Sequence, residues 1–234
     1  MREPPSILPV RAEGLGYAPA RLRGVSLELR AGPPTLVIGP NGAGKSVLLR
    51  LLHGLLRPTE GRVTWAQDNP RRQAMVFQRP VLLRRSVLAN ARYGLRLAGM
   101  PRTEATERAR AALASVGLLA LADRPARALS GGEGQRLALA RAAALMPEVL
   151  FLDEPCASLD PAAARAVEEI VARLAAAGTR IVMTTHDLAQ ARRLAGEVVF
   201  LHAGRLDAHA PADAFFAHPP TTEAAAFLRG ELHW

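Results

Sequence analysis

The sequence predicts an α/β fold with an inserted helical subdomain, and three observations predict it. Short apolar runs at 34–38, 149–155 and 179–184 are typical of buried strands. Helical patterns alternate with these runs, which is typical of α/β domains. Between about 79 and 128, helical patterns dominate without intervening strands. We therefore expect one domain with a core at about 1–78 and 146–234 and a helical subdomain at about 79–145.

The composition indicates a globular protein of a reducing compartment. The 234 residues are 49 % hydrophobic, enough for one large domain. A single cysteine, Cys156, excludes an internal disulfide framework. The segment Met1–Pro5 has no signal-peptide core, and no apolar run approaches the roughly 18–20 residues of a membrane span. We expect a cytoplasmic protein that reaches a membrane only through partners.

The net charge of +9 comes almost entirely from arginine. Nucleic acid, an anionic membrane surface and nucleotide phosphates are all candidate partners for such a charge. The arginines are scattered, however, and no DNA- or RNA-binding motif accompanies them. We therefore favour a general preference for arginine and expect no nucleic-acid partner.

The N-terminal region predicts strands at 9–13 and 22–29, the second with alternating apolar residues. Tyr17 lies between them. Its ring is suited either to stacking on an adenine or to packing against the sheet, and periodicity does not decide between the two.

A glycine-rich loop follows the predicted strand 34–38 and precedes a predicted helix that stops near Gly54. It fits the pattern G-x-x-x-x-G-K-[ST], which predicts a nucleoside triphosphate site. Lys45 is the only lysine of the chain, which argues against a chance match. The ATP-binding set is Gly39, Pro40, Asn41, Gly42, Ala43, Gly44, Lys45, Ser46 and Val47.

The chemistry of this loop is local. Glycines allow the backbone N–H groups to turn inward around phosphate oxygens, and the helix adds its N-terminal donors. Lys45 supplies a positive charge for the β- and γ-phosphates, and the Ser46 hydroxyl can ligate Mg²⁺.

The middle of the chain predicts a strand at 61–65, a loop at Asp68–Gln73 and a short apolar strand at 74–77 that ends at Gln78. Helices are predicted at Val87–Leu97 and Thr103–Val116. The pattern Thr103-x-x-Thr106-Glu107 is typical of a helix start and marks the beginning of the second helix.

A second glycine-containing turn, Ser130-Gly131-Gly132-Glu133, precedes a helical run through Leu145. Ser130 can be a phosphate donor at a helix N-terminus or the cap of an ordinary helix. The sequence leaves both interpretations open.

Two carboxylates, Asp153 and Glu154, end the predicted strand 149–155. Functional groups of α/β sheets gather at the carboxyl ends of strands. We expect Asp153 to hold Mg²⁺ and Glu154 to polarise an attacking water. His186, just after the strand 179–184, is a candidate for the γ-phosphate. Around these lie a helix at 161–177, a final strand at 197–201 and helical segments from 210 to 228.

In their order, these motifs resemble the ATP-binding cassette of ABC transporters, over nearly the whole chain. The residues that carry the resemblance are Tyr17, the loop 39–46, Gln78, Leu129–Gly132, Asp153-Glu154, Ser158-Leu159-Asp160 and His186.

The resemblance implies a P-loop NTPase with a RecA-like core, an antiparallel β subdomain and the helical subdomain. Two copies would sandwich two ATP molecules head to tail, so that the segment Ser130, Gly131, Gly132 and Glu133 of one copy meets the ATP held by Lys45 of the other. Glu154 would be the general base, and His186 would contact the γ-phosphate.

It also implies partners. Gln78 would link Mg²⁺ and water to transmembrane permease subunits, and Ser158, Leu159 and Asp160 would communicate across the homodimer. A periplasmic or extracellular solute-binding protein would act through the same complex, with this chain at the cytoplasmic face of the membrane. Two departures from the family pattern are Gly134, which predicts a looser start of the helix after 130, and Cys156.

A lone cassette resembles bacterial and archaeal importers. The segments 76–86 and 224–232 resemble importers of tungstate and related oxyanions. The end at Trp234 predicts no additional C-terminal regulatory domain. The alternatives are a cassette for amino acids, phosphate, lipoprotein release or export, a soluble ABC ATPase acting on nucleic acid, and a nucleotide-binding scaffold without turnover.

Overall fold

A computed structural model describes residues 5–67, 69 and 72–231. Half of the predicted loop Asp68–Gln73 lies outside the described residues, as do Met1–Pro4 and Leu232–Trp234. The chain divides into two compact units, and each is described by itself. The first comprises Met1–Pro70 and Arg180–Trp234, and the second comprises Arg71–Thr179. The predicted subdomain bounds of about 79–145 stay a prediction.

A three-stranded antiparallel sheet opens the first unit. Its strands are β1 (Val10–Tyr17), β2 (Leu22–Leu29) and β4 (Glu60–Trp65), in the order β2-β1-β4. Alternate residues of β2 are buried, as the sequence pattern predicts. Tyr17 is the last residue of β1 and does not lie in a turn between strands, because pairing with Leu22 extends β1 beyond its predicted end.

Four more strands of the first unit are neighbours in the order β7-β3-β8-β9. They are β3 (Thr35–Ile38), β7 (Arg180–Thr184), β8 (Glu197–His202) and β9 (Arg205–Pro211). The strand β3 pairs in parallel with β7 and β8, whereas β9 pairs antiparallel to β8. The prediction that 197–201 is the final strand was therefore wrong. Residues 205–211 contain no β-branched or aromatic residue, so the strand depends on pairing with β8.

The helices of the first unit are α1 (Lys45–His53), α6 (Leu188–Leu194), α7 (Ala212–Ala217) and α8 (Thr222–Leu228). As predicted, α1 ends at Gly54, whose φ of 85° provides the left-handed cap. The two C-terminal helices contribute Phe215 and Phe227, whose rings lie 6.0 and 5.3 Å from that of Phe200 in β8. This aromatic cluster fixes the tail on the strand.

A buried ion pair lies where β7, β3 and β8 begin. The Arg180 side chain is 3 % exposed, and its Nη2 donates to Glu197 Oε2 at 2.8 Å. Thr35 Oγ1 donates to the same oxygen at 2.8 Å and is 2.6 Å from Arg180 Nη2. His209 Nε2 lies 3.8 Å from this carboxylate. Three strand starts are thus joined by one network.

The second unit contains the parallel pair β5 (Gln73–Val76) and β6 (Val149–Asp153). Its helices are α2 (Val87–Leu97), α3 (Arg102–Ser115), α4 (Gly131–Ala143) and α5 (Pro161–Ala176). The predicted helix at Thr103–Val116 is present as α3, but it begins one residue earlier, directly after Pro101, and no side chain caps it. Proline presets the backbone for a helix start. Thr106 instead donates to the Arg102 carbonyl at 2.7 Å.

The alternation of helices and strands confirms the α/β class, with an antiparallel sheet at its N-terminus. None of the helices within the described residues has the length and hydropathy needed to cross a membrane.

Candidate functional site

The loop 39–46 joins β3 to α1 and has the backbone that the sequence predicts. Gly39, Gly42 and Gly44 have φ values of 144°, 76° and 98°. At Gly39 a Cβ atom would lie 2.0 Å from the Leu201 carbonyl oxygen, so only glycine fits there. This turn brings the chain from the sheet edge directly into a helix N-terminus.

Lys45 is folded into this loop. Its side chain is 5 % exposed, and Nζ donates to the carbonyl oxygens of Gly39 at 2.8 Å and Pro40 at 3.0 Å. Gly44, at the N-cap of α1, has no side chain with which to cap the helix, and the first turn contains no acid. A helix start of this kind, with a cation at its first residue, is suited to an anion.

His186 lies at the same edge of the sheet as the loop. Val37 of β3 pairs with Thr184 of β7, and Thr185 N–H donates to the Val37 carbonyl at 3.3 Å. Because the strands are parallel, the loop start at Gly39 and the exposed His186 each follow this pair by two residues. Tyr17 is half-buried, and its role as an adenine platform stays a prediction.

In the second unit, Gln78 and Glu154 follow adjacent parallel strands. Val76 of β5 pairs with Leu152 of β6, so Gln78 and Glu154 each come two residues after paired positions. Gln78 is exposed, Glu154 is half-buried, and Asp153 is 2 % exposed. The sequence predicted this pair of carboxylates, Asp153 and Glu154, at the end of a strand.

Glu154 has a left-handed backbone, with a φ of 44°. This ends β6 at Asp153, two residues before the predicted end. A non-glycine residue in this conformation costs about 1–2 kcal/mol, and strained residues of this kind cluster at functional sites. A turn holds it in place, because Ala157 N–H donates to the Glu154 carbonyl at 3.1 Å.

Ser130 caps α4. Its Oγ accepts from Glu133 N–H at 3.3 Å, and the Glu133 carboxylate accepts from Ser130 N–H at 2.8 Å. This capping box, together with the Ser130 hydroxyl, lowers the pKa of Glu133. The ordinary capping interpretation is therefore realised. The expected looseness at Gly134 is absent, since Gly134 N–H bonds the Ser130 carbonyl at 2.8 Å within a continuous helix.

A cavity of about 460 Å³ brings two predicted motifs together within the second unit. Its walls include the predicted residues Ser130, Gly131, Gly132, Glu133, Ser158, Leu159 and Asp160. Gly132 is required where α4 approaches α5, because a Cβ would lie 2.7 Å from that of Ala163. Asp160 also caps α5, accepting from Ala162 and Ala163 N–H groups at 3.0 and 2.9 Å.

Sequence reasoning missed Arg136, which also lines this cavity. Its Nη1 donates to the Val116 carbonyl at 2.9 Å. The only signal was a basic residue within two turns of a helix N-terminus, and periodicity alone does not place such a side chain in a cavity.

Comparison with known families decides the assignment. The family described as ABC transporter matches residues 22–157, which is more than half of the chain. The chain belongs to the ABC transporter family. It is an ABC-type ATPase, and the loop 39–46, the segment Leu129–Gly132 and the pair Asp153-Glu154 all lie within the matched residues.

Individual relatives of this ABC protein are ATP-binding subunits. It is 41 % identical over 196 residues to the tungstate uptake system ATP-binding protein TupC of Peptoclostridium acidaminophilum, covering 82 % of this chain and 90 % of that protein. It is 37 % identical over 237 residues to the phosphate import ATP-binding protein PstB 2 of Natronomonas pharaonis, covering 91 % and 82 %.

A solved structure confirms the ABC cassette fold. The structure of cbiO1 from Clostridium perfringens, part of the ABC transporter complex cbiONQ, superposes with a TM-score of 0.79 at 28 % identity, covering 89 % of this chain and 90 % of that one.

The residues of the ABC protein fit ATP. The uncapped helix start at Gly44, the buried Lys45 and the close approach at Gly39 form a cradle for phosphate oxygens. Within the described part of the chain, no cluster of three His, Cys, Asp or Glu side chains could hold a metal ion. Mg²⁺ takes several of its oxygen ligands from phosphates and water, so binding it does not require such a cluster.

Proposed function

We propose that this ABC-type ATPase is the ATP-hydrolysing subunit of an importer for a small oxyanion, tungstate foremost. The similarity to TupC, at 41 % identity over 90 % of that protein, is the observation that supports tungstate as the cargo. Similarity to a phosphate import protein supports the wider class of oxyanions.

ATP is held by the first unit's loop. Lys45 neutralises charge on the β- and γ-phosphates, and the N-terminal donors of α1, through Val47, bind phosphate oxygens. Tyr17 stacks on the adenine. Mg²⁺ is ligated by Ser46 and by Asp153, the last residue of β6, because the carboxyl ends of parallel strands are where functional groups of α/β sheets gather.

Glu154 is the general base that takes a proton from the attacking water. Its half-buried position and left-handed backbone support this role. His186 contacts the γ-phosphate, and Gln78 contacts Mg²⁺ and the water. In a head-to-tail homodimer, Ser130 of the second copy completes the site. The 460 Å³ cavity beside Ser130 supports this, because it has room for phosphate groups.

The partners that we propose are permease subunits at the cytoplasmic face of the membrane and, through them, a solute-binding protein. Phe77 and Val81 are 36 % and 68 % exposed on either side of Gln78. Exposed apolar side chains beside a predicted site residue support a docking surface there.

The test of hydrolysis uses Glu154→Gln, which should bind ATP without turning it over and accumulate as a dimer. The matched control is Glu148→Gln. Glu148 lies one residue before β6, and its carboxylate pairs with Arg72 at 2.8 Å. Hydrolysis by Glu154→Gln at the wild-type rate would remove Glu154 from the role of base.

The test of cargo is reconstitution in liposomes with the permease and its binding protein. ATP hydrolysis is followed as the binding protein is loaded with tungstate, molybdate, sulfate, phosphate or nothing. Stimulation by loaded tungstate alone supports the proposal, and equal rates with every anion contradict the oxyanion cargo.

An amino-acid importer is the second candidate, because proteins named for methionine and L-cystine import are 38 % and 35 % identical to this chain. Stimulation by a binding protein loaded with methionine or cystine, and not by any anion, would establish that candidate instead. Salt-sensitive binding of DNA or RNA would favour the nucleic-acid alternative.

A further inference from the structure

The segment Phe77–Leu82, which we call the glutamine segment, follows β5 and carries Gln78. Arg141 of α4 donates from Nη1 to the Val81 carbonyl at 3.0 Å. Gln135 of α4 reaches the Phe77 carbonyl over a longer distance of 3.5 Å. The two contacts lie on opposite sides of Gln78, so α4 holds the segment before and after this residue.

Gly134 leaves room for Leu82 beside the first turns of α4. A Cβ atom built on Gly134 would lie 3.5 Å from Leu82 Cδ1, which is an ordinary van der Waals distance. A longer side chain at this position would extend into the space of Leu82. The glycine therefore lets the end of the glutamine segment lie directly against the first turns of α4.

Arg141 is an unusual donor for this purpose. It is half-buried, and burial lowers the pKa of its guanidinium. Among the described residues its hydrogen-bond partner is the neutral Val81 carbonyl, and no carboxylate pairs with it. A desolvated charge on a backbone carbonyl holds that carbonyl in one place more firmly than a neutral donor would.

The chain beyond the glutamine segment is fixed as well. Asn90 of α2 is fully buried, and its Oδ1 accepts from Leu83 N–H at 2.8 Å. Its Nδ2 donates to the carbonyls of Leu83 at 3.2 Å and Ser86 at 2.9 Å. The glutamine segment is thus bonded to α4, and the residues that follow it are bonded to α2, while the side chains of Phe77, Gln78 and Val81 remain exposed.

We propose that Arg141 is a positioning residue that makes the glutamine segment and α4 move as one body. A helix of 13 residues is rigid over about 20 Å, and Ser130 stands at its N-terminus. Any displacement of Gln78 by a docked partner is therefore transmitted to Ser130 and the cavity beside it. This inference rests on the proposed roles of Gln78 and Ser130 in ATP hydrolysis.

The experiment compares Arg141→Gln with the matched control Arg173→Gln in the purified full-length protein. Arg173 Nη2 donates to the Ser115 carbonyl at 3.0 Å, so the control removes the same type of bond away from the glutamine segment. We expect Arg141→Gln to lower kcat for ATP roughly tenfold with KM changed less than about twofold. The control keeps both constants, and Arg141→Lys restores part of kcat.

Hydrogen exchange provides a readout that a merely structural role would not move. In Arg141→Gln, amides of 77–82 and of 131–134 should both exchange faster, whereas in Arg173→Gln neither set should change. Faster exchange confined to 77–82, or a kcat equal to that of the wild type, would overturn the proposal. So would equal losses of kcat in the two variants.

A second variant covers the case in which Arg141→Gln does not fold. Leu82→Ala removes the contact at Gly134 and leaves Arg141 in place, and it should lower kcat while sparing KM. An unchanged kcat overturns the proposal here as well. Gln78→Ala and Ser130→Ala test the proposed function separately, because both must lower kcat if those residues serve hydrolysis. If they do so while Arg141→Gln and Leu82→Ala leave kcat unchanged, the role of Arg141 is wrong and the proposed function stands.

Discussion

Replacement of Glu197 by glutamine tests the buried network at the start of β7. The substitution keeps the size of the side chain and removes its charge, which leaves the guanidinium of Arg180 uncompensated. That side chain is 3 % exposed, and its Nε and Nη1 have no hydrogen-bond partner among the described residues. Water therefore has little access to the positive charge of Arg180 that remains after the substitution.

Breaking a buried ion pair from one side costs about 3–5 kcal/mol. The Glu197 side chain is 34 % exposed, so the lower end applies and we expect a loss of about 3 kcal/mol. For a chain of this size such a loss lowers Tm by about 6–12 °C. Replacing both partners, as in Arg180→Met with Glu197→Gln, should cost less than Glu197→Gln alone, because no buried charge remains.

The effect of pH has a definite sign. Burial raises the pKa of Glu197. Hydrogen bonds from Thr35 and Arg180, together with the charge of Arg180, outweigh burial and hold this pKa below its ordinary value of 4.5. The carboxylate therefore stabilises the folded protein fully above about pH 4.5, and this contribution disappears as pH falls through the lowered pKa. The difference between wild type and Glu197→Gln should shrink as pH falls below about 4.5.

Urea unfolding followed by both circular dichroism and fluorescence measures this free energy. Thr221→Ala is a suitable control, because it removes a polar side chain elsewhere in the first unit, where Thr221 caps α8. A loss of under about 1 kcal/mol in Glu197→Gln, or a difference from wild type that grows at acid pH, would refute the reasoning.

Three further predictions concern the loop 39–46, the helix α4 and Tyr17. Gly39→Ala should cost at least about 2 kcal/mol and abolish ATP binding, since its Cβ would meet the Leu201 carbonyl at 2.0 Å; ATP affinity equal to that of the wild type would contradict this. Gly134→Ala should raise stability in urea by about 0.5–1 kcal/mol, because alanine favours the helix and meets only Leu82 at 3.5 Å; a lower midpoint would show strain there instead. Tyr17→Ala should raise KM for ATP about fivefold with little change in kcat, and an unchanged KM would return Tyr17 to a packing role.

Local patterns predicted most of the fold. The bounds of α2 agree at both ends, since its apolar spacing and the capping Ser86 are both visible in the sequence. The strand β9 was not predictable in the same way. Its residues have little strand propensity, and its backbone is ordered by six paired positions on β8. The Arg180 network was also invisible, because Thr35, Arg180 and Glu197 meet only through the register of three strands.

At the candidate site, the sequence indicated residues through their motifs but not their contacts. The pairing of Val76 with Leu152 places Gln78 and Glu154 after equivalent positions, and no spacing within either motif reveals that pairing. Similarly, Arg141 and Val81 are 60 residues apart in the chain. Contacts of this kind depend on tertiary packing, so they are beyond any local pattern.

The two interpretations of Ser130 that the sequence left open do not exclude each other. As a cap, the Ser130 oxygen uses a lone pair, because it accepts from Glu133 N–H. A hydroxyl can accept and donate at the same time, so capping does not consume the proton of Ser130. Capping also holds the oxygen in one orientation at the positive end of α4, on the wall of the cavity. The bond that makes α4 an ordinary capped helix is therefore the bond that would orient a phosphate donor.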